Sequence, residues 1–121
     1  ENNTRPIYVQ MQGNDVFKVA VNALKKVLDE TLEENNLTKD DIDWFIPHQA
    51  NLRIIETTAK LLDFPMERVI VNVDKYANTS SASIPAALHE AFMDGRIKRG
   101  QTILLAAFGA GLTSGAVLLK F

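Results

Sequence analysis

Two apolar runs near the end of the chain, residues 102–108 and 112–121, are joined by nothing more than Gly109-Ala110-Gly111. A short glycine turn between two such runs reads as a β-hairpin, and runs this apolar belong in the middle of a sheet. A central hairpin needs helices to cover it, so the rest of the chain is expected to supply them.

The upstream sequence has the right periodicities. From Val16, the apolar residues Phe17, Val19, Ala20, Val21, Leu24, Val27, Leu28 and Leu32 recur mostly at three- and four-residue steps, while Lys25, Lys26, Asp29, Glu30, Glu33 and Glu34 face away. Gly13-Asn14-Asp15 offers the turn and N-cap of that helix, and Asn35-Asn36 ends it. Thr38, with Asp41 three positions on, resembles a capping box with aspartate in place of glutamate, around a single short turn. Asn51 is placed to cap a helix through Leu52, Ile54, Ile55, Ala59 and Leu62. That helix must stop before Phe64-Pro65, because the residue before a proline resists the α conformation. A third helix is capped by Ser83 or a neighbour, with Pro85 in its first turn, Ala86, Ala87, Leu88, Ala91 and Phe92 on its apolar side, and Gly95 at its exit. Strands are expected at 7–11, as an edge strand, at 42–47 and at 69–73. The order β, α, β, α, β, α, β, β predicts the α/β class, with helices layered on a mixed five-stranded sheet in one domain over residues 1–121.

Composition narrows the function. A chain of 121 residues buries a core without a disulfide or metal staple. Thirteen basic against fifteen acidic residues, a net charge of −2 and 46% hydrophobic residues argue against both a polyanion-binding surface and disorder, so nucleic acid is not an expected partner. The absence of cysteine excludes a disulfide framework and thiolate metal sites, and His48 and His89 lie too far apart for a local zinc motif. No metal or cofactor is expected. No apolar run approaches the ~20 residues of a membrane span, and Glu1 opens a polar stretch rather than a signal peptide, so a soluble, cytoplasmic protein is expected. Opening at Glu1-Asn2-Asn3 rather than methionine, the sequence reads as a processed product or a piece cut from something longer.

Two segments carry chemistry. Phe45-Ile46-Pro47-His48-Gln49-Ala50-Asn51 places a histidine directly after a strand, and Tyr76-Ala77-Asn78-Thr79-Ser80-Ser81 places an asparagine after another. An imidazole N–H and an amide N–H are neutral donors suited to a carbonyl oxygen that gains negative charge. From the residues alone, His48 reads first as a buried structural histidine at a strand end, and Asn78 as a turn residue, since asparagine and serine favour turns. Gly109-Ala110-Gly111 is not a phosphate loop, because the following lysine and serine or threonine are absent. His89, beside Glu90 on a helix, reads as a solvated residue, and Arg96, Lys98 and Arg99 as a short charged turn.

Taken together the motifs resemble the β-ketoacyl-acyl-carrier-protein synthases III, within the thiolase-like condensing enzymes. The resemblance covers nearly the whole chain. It is carried by Met11-Gln12-Gly13-Asn14-Asp15-Val16-Phe17-Lys18, by Trp44 through Ile54, by Tyr76-Ala77-Asn78-Thr79-Ser80, by Asp94-Gly95-Arg96-Ile97 and by Ala107-Phe108-Gly109-Ala110-Gly111-Leu112-Thr113. It implies a C-terminal thiolase-like half, with the nucleophilic cysteine of a Cys-His-Asn triad on an N-terminal half outside this chain, and His48 and Asn78 as the other two members. The implied reaction starts fatty-acid synthesis. An acyl group passes from coenzyme A to the cysteine, and the enolate of decarboxylated malonyl-acyl-carrier protein attacks it. The backbone N–H of Ala110 matches an oxyanion position for the acyl-cysteine, and Gly13 and Phe17 match tunnel-lining positions. Gln49, Ala50, Asn51, Leu52 and Arg53 match the segment that meets the acyl carrier protein, with Asn51 also touching the pantetheine arm. The complete protein is expected to be a homodimer. The chain departs from the family at Ala110, where many relatives have glycine, and at Ser114, where many have an aromatic residue. Other readings are a related thiolase-like ketide synthase half, or a cysteine-free module that binds a carrier protein without chemistry.

Overall fold

The computed structural model describes residues 13–121, so the strand expected at 7–11 lies outside the described residues. Helix α1, Gly13–Glu34, buries Ala20, Val21, Leu24 and Leu28, which is the stripe the spacing predicts. Gly13-Asn14-Asp15 is already helical, so it is part of α1 rather than the turn and cap expected before it. Its end is a Schellman motif in which Asn36 takes φ 52°. There Asn36 N–H donates to Glu33 O at 3.0 Å and Leu37 N–H to Leu32 O at 2.9 Å. The short turn Lys39–Asp41 follows, with Thr38 N–H donating to Asp41 Oδ2 at 2.8 Å as the capping-box pattern requires.

Strand β1, Trp44–Pro47, leads to helix α2, Leu52–Leu61. Asn51 caps α2 through Oδ1, which accepts from Ile54 N–H at 2.9 Å. This helix ends in a second Schellman motif, with Asp63 at φ 51° and Phe64 N–H donating to Ala59 O at 2.8 Å, just ahead of Pro65. A four-residue helix α3, Val73–Tyr76, and helix α4, Ser83–Met93, precede the hairpin of β2, Thr102–Gly109, and β3, Thr113–Lys120.

The sheet is mixed, in the order β1-β2-β3, with β1 parallel to β2 and β2 antiparallel to β3. Among the described residues it has three strands rather than the five expected. The strand expected at 69–73 is reduced to one parallel bridge, Phe45 with Val69, before the chain turns into α3 at Val73. The reason lies in a side chain: Gln49 binds the backbone of Ile70, Asn72 and Val73 and occupies the groups a ladder would use.

Strand residues alternate between two cores, as the two-residue period demands. Phe45, Leu104 and Ala106 pack with α1 and α2, and Phe45 meets Phe64 edge-on at 6.0 Å. Ile46 and Ile103 pack instead with Ile70, Ala87, Ala91 and Ile97 on the α4 side. The result is three layers, helices on both faces of a sheet. No helix among the described residues is long and apolar enough to cross a membrane.

Candidate active site

Parallel strands β1 and β2 finish side by side, and the chain that leaves β1 carries His48 across their carboxyl ends, where open α/β sheets bind their ligands. His48 N–H continues the pairing by donating to Ala106 O at 2.7 Å, which pins the residue before its side chain leaves the sheet. The imidazole is half-buried and meets Phe108 edge-on, with centroids 5.7 Å apart. Its Nδ1 lies 2.6 Å from Ser83 Oγ. Burial lowers the His48 pKa below its ordinary 6.5, so the ring is neutral at pH 7 and able to act as an uncharged donor.

Asn78 arrives from the loop between α3 and α4, and the backbone around it is bent hard. Ala77 takes φ 56° with ψ −161°, and Ser80 takes φ 55°. Conformations of this kind are costly for residues with a Cβ and recur at functional sites. Asn78 Oδ1 accepts from Ser80 N–H at 2.9 Å, so the oxygen is held locally and the amide NH2 is left as the outward group.

His48, Asn78 and Phe108 border two adjoining cavities of about 510 and 410 Å3. The larger is also lined by Gly13, Phe17, Ala50, Asn51 and Arg53, so most of the residues singled out in the sequence converge on one space. Arg53 is exposed on α2 with its guanidinium 4.5 Å from the Phe17 ring centroid, a cation–π contact that holds the cavity rim. Leu52 is exposed on the same turn of helix. Ala110 sits in the exposed turn beyond Gly109 and lines neither cavity; Gly109 lines the smaller.

Gln49 corrects the expectation of a docking residue. It is 0% exposed, and all of its hydrogen-bonding positions are used internally. Its Nε2 donates to Pro47 O at 2.8 Å and Ile70 O at 3.1 Å, and its Oε1 accepts from Asn72 N–H at 2.9 Å and Val73 N–H at 3.1 Å. No carrier protein reaches such a group; the side chain instead ties the His48 loop to the segment before α3.

Ser83 is a second correction. The cap of α4 was expected at Ser83 or a neighbour; the neighbour Ala82 takes the cap position without a side-chain cap, and the helix starts at Ser83. The freed hydroxyl faces His48 Nδ1 and also accepts from Gln49 N–H at 3.2 Å. The contact has the look of a serine nucleophile beside its base. Ser83 is 1% exposed and lines neither cavity, so no substrate carbon reaches it. Nothing in the spacing of two residues 35 positions apart signals this pair. Phe108 stood in a motif beside the glycine turn but was not assigned to the site, which it borders through both cavities. Among the described residues no cluster of histidine and carboxylate side chains is arranged to hold a metal ion.

What the site offers is two neutral donors on one cavity without a thiol. Residues 32–121 match the family model described as 3-oxoacyl-[acyl-carrier-protein (ACP)] synthase III, C terminal. The chain belongs to this family. The synthase III proteins it resembles include that of Methylococcus capsulatus, named β-ketoacyl-[acyl-carrier-protein] synthase III, which is 62% identical over 113 residues covering 93% of this chain. The synthase of the same name from Pasteurella multocida is 60% identical over 96% of the chain. Among solved structures, the 3-oxoacyl-[acyl-carrier-protein] synthase III of Aquifex aeolicus superposes with a TM-score of 0.92 at 51% identity, covering 94% of this chain and 37% of that one. The chain spans about a third of the length of the curated relatives it matches, 35% for that of Methylococcus capsulatus. The thiolase-like α/β class expected from the motifs is therefore the observed one.

Proposed function

We propose that this chain is the C-terminal catalytic part of a β-ketoacyl-acyl-carrier-protein synthase III, joining an acyl group from coenzyme A to malonyl-acyl-carrier protein. The observation that carries the reading is the pair His48 and Asn78: two neutral donors on one cavity in a chain without cysteine. Such a pair stabilises an oxyanion but has no nucleophile to form an acyl-enzyme.

In the proposed reaction, a cysteine thiolate on the rest of the protein attacks the acyl-coenzyme A thioester, and the C–S bond to coenzyme A breaks to release its thiolate, which takes a proton from water. Malonyl-carrier protein then binds. Its carboxylate departs as carbon dioxide, the electron pair of the broken C–C bond moves into the thioester, and the oxygen becomes an enolate. His48 and Asn78 donate to that oxygen, and in comparable sites one such donor contributes about 3 kcal/mol. The enolate carbon attacks the acyl-cysteine carbonyl, whose oxygen is met by Ala110 N–H, and collapse of the adduct breaks the C–S bond and restores the thiolate. No cofactor takes part.

Gly13 and Phe17, with Asn51, form the wall along the pantetheine arm and acyl group, and Ala50, Asn51, Leu52 and Arg53 meet the carrier protein. The Arg53 guanidinium supplies positive charge against an acidic partner. The complete protein in this reading is a cytoplasmic homodimer, and residues 1–121 form one of its domains.

The test separates the two half-reactions in the complete protein. His48→Ala or Asn78→Ala is expected to slow malonyl decarboxylation about 10²- to 10³-fold while cysteine acylation persists. Equal loss in both steps would mark the two residues as structural. The chain alone is expected to show no condensation, and turnover by a pure sample would overturn the reading.

A further inference from the structure

The hydrogen bonds around Ser83 decide which nitrogen of His48 carries the proton. A serine hydroxyl has one proton and two lone pairs. Ser83 Oγ already accepts from Gln49 N–H at 3.2 Å, and its only other hydrogen-bond partner among the described residues is His48 Nδ1 at 2.6 Å. Were Nδ1 protonated, it would fill the second lone pair and leave the hydroxyl proton with no acceptor in a residue that is 1% exposed. Buried donors are rarely left in that state. With Nδ1 bare, the hydroxyl donates into it, the Gln49 amide is satisfied, and nothing is stranded.

We propose that Ser83 is a positioning residue that holds His48 in the tautomer with its proton on Nε2, presenting an N–H to the cavity it borders with Asn78. The importance of this tautomer rests on the donor role proposed above, since an imidazole with its proton on Nδ1 would turn a lone pair toward the developing oxyanion and repel it. The arrangement also explains why this serine does not cap α4. Its hydroxyl is drawn away from the helix end, and the helix begins there without a side-chain cap.

The tautomer is read directly by 15N NMR of the full-length protein carrying labelled histidine, with His48→Asn identifying the signal. The expected spectrum shows the proton on Nε2 by at least about tenfold, with Nδ1 shifted as a hydrogen-bond acceptor; a protonated Nδ1 overturns the proposal. In Ser83→Ala the Nδ1 acceptor shift should disappear and the tautomer ratio should fall several-fold, whereas Ser83→Thr, which keeps the hydroxyl, should restore both. An unchanged spectrum in the alanine variant overturns the proposal too. The wild-type spectrum decides the matter even if a variant fails to fold. Decarboxylation assays on the same proteins distinguish the two ideas. If Ser83→Ala disturbs the tautomer but not the decarboxylation rate, the oxyanion role of His48 fails while the assignment of Ser83 stands.

Discussion

Replacing Gln49 by glutamate changes one NH2 group to oxygen at nearly constant shape, and the structure gives the consequence a magnitude. Gln49 is 0% exposed and its Nε2 donates to two carbonyls, Pro47 O at 2.8 Å and Ile70 O at 3.1 Å. A protonated glutamic acid has one donor for these two acceptors, so one buried carbonyl is orphaned at about 1–3 kcal/mol. An ionised one faces two carbonyl oxygens with a buried charge, so the folded protein keeps the group protonated and its pKa rises far above the ~4.3 of the unfolded chain. Holding the proton at pH 7 against that reference adds about 1.4 kcal/mol per pH unit, or roughly 3.7 kcal/mol. Together these give about 5–7 kcal/mol at pH 7, comparable to the whole stability of many domains. The sign with pH follows from proton counting. The folded variant binds more protons than the unfolded one, so its stability falls as pH rises above ~4.3 and recovers on acidification. Urea unfolding followed by the fluorescence of Trp44, the chain's one tryptophan, measures this at pH 7 and near pH 4.5. A deficit below about 1 kcal/mol, or one independent of pH relative to the parent, would refute the four-bond account of Gln49.

Three further predictions concern the same region. Ala77 is exposed at φ 56°, ψ −161°, a combination that suits glycine, so Ala77→Gly is expected to raise stability by about 1 kcal/mol after the entropy of the freer unfolded chain is deducted; a lower urea midpoint would contradict this. Gly111→Ala is expected to destabilise by about 1–3 kcal/mol, because the residue holds φ 138° and a Cβ there would lie 2.9 Å from Thr113 Oγ1; an unchanged midpoint would show that the turn adapts. Burial lowers the His48 pKa from 6.5, so the unfolded chain binds more protons between the two values. That contribution to stability is fully present above 6.5 and is lost as pH falls toward the folded value, together with the neutral donor; an NMR titration midpoint at or above 6.5 would contradict it.

Much of the site was legible because its residues stand in unbroken motifs at the ends of elements. His48 follows a strand, Asn51 caps a helix through its own side chain, and Gly13 and Phe17 occupy one face of α1. Local geometry brings such residues to the same end of the sheet. Gln49 misled for a related reason. The residues that follow it, Ala50 to Arg53, are at least partly exposed, but its side chain turns inward to four backbone groups, three of them more than twenty residues away. The strand expected at 69–73 failed with it, since an apolar run carries no sign that a distant side chain will take its hydrogen bonds.

The sequence by itself determined the layered α/β class, the amphipathic faces of α1 and α2, the Asn51 cap and the terminal hairpin, because each follows from periodicity or from hydrogen bonds between residues a few positions apart. Tertiary structure alone decided that Gln49 is buried, that the pairing of β1 with 69–73 stops at a single bridge, and that Ser83 faces His48 rather than capping α4. Those outcomes depend on which buried donor finds which acceptor across 20 to 35 residues of chain, and that is settled only when the layers close and water is excluded.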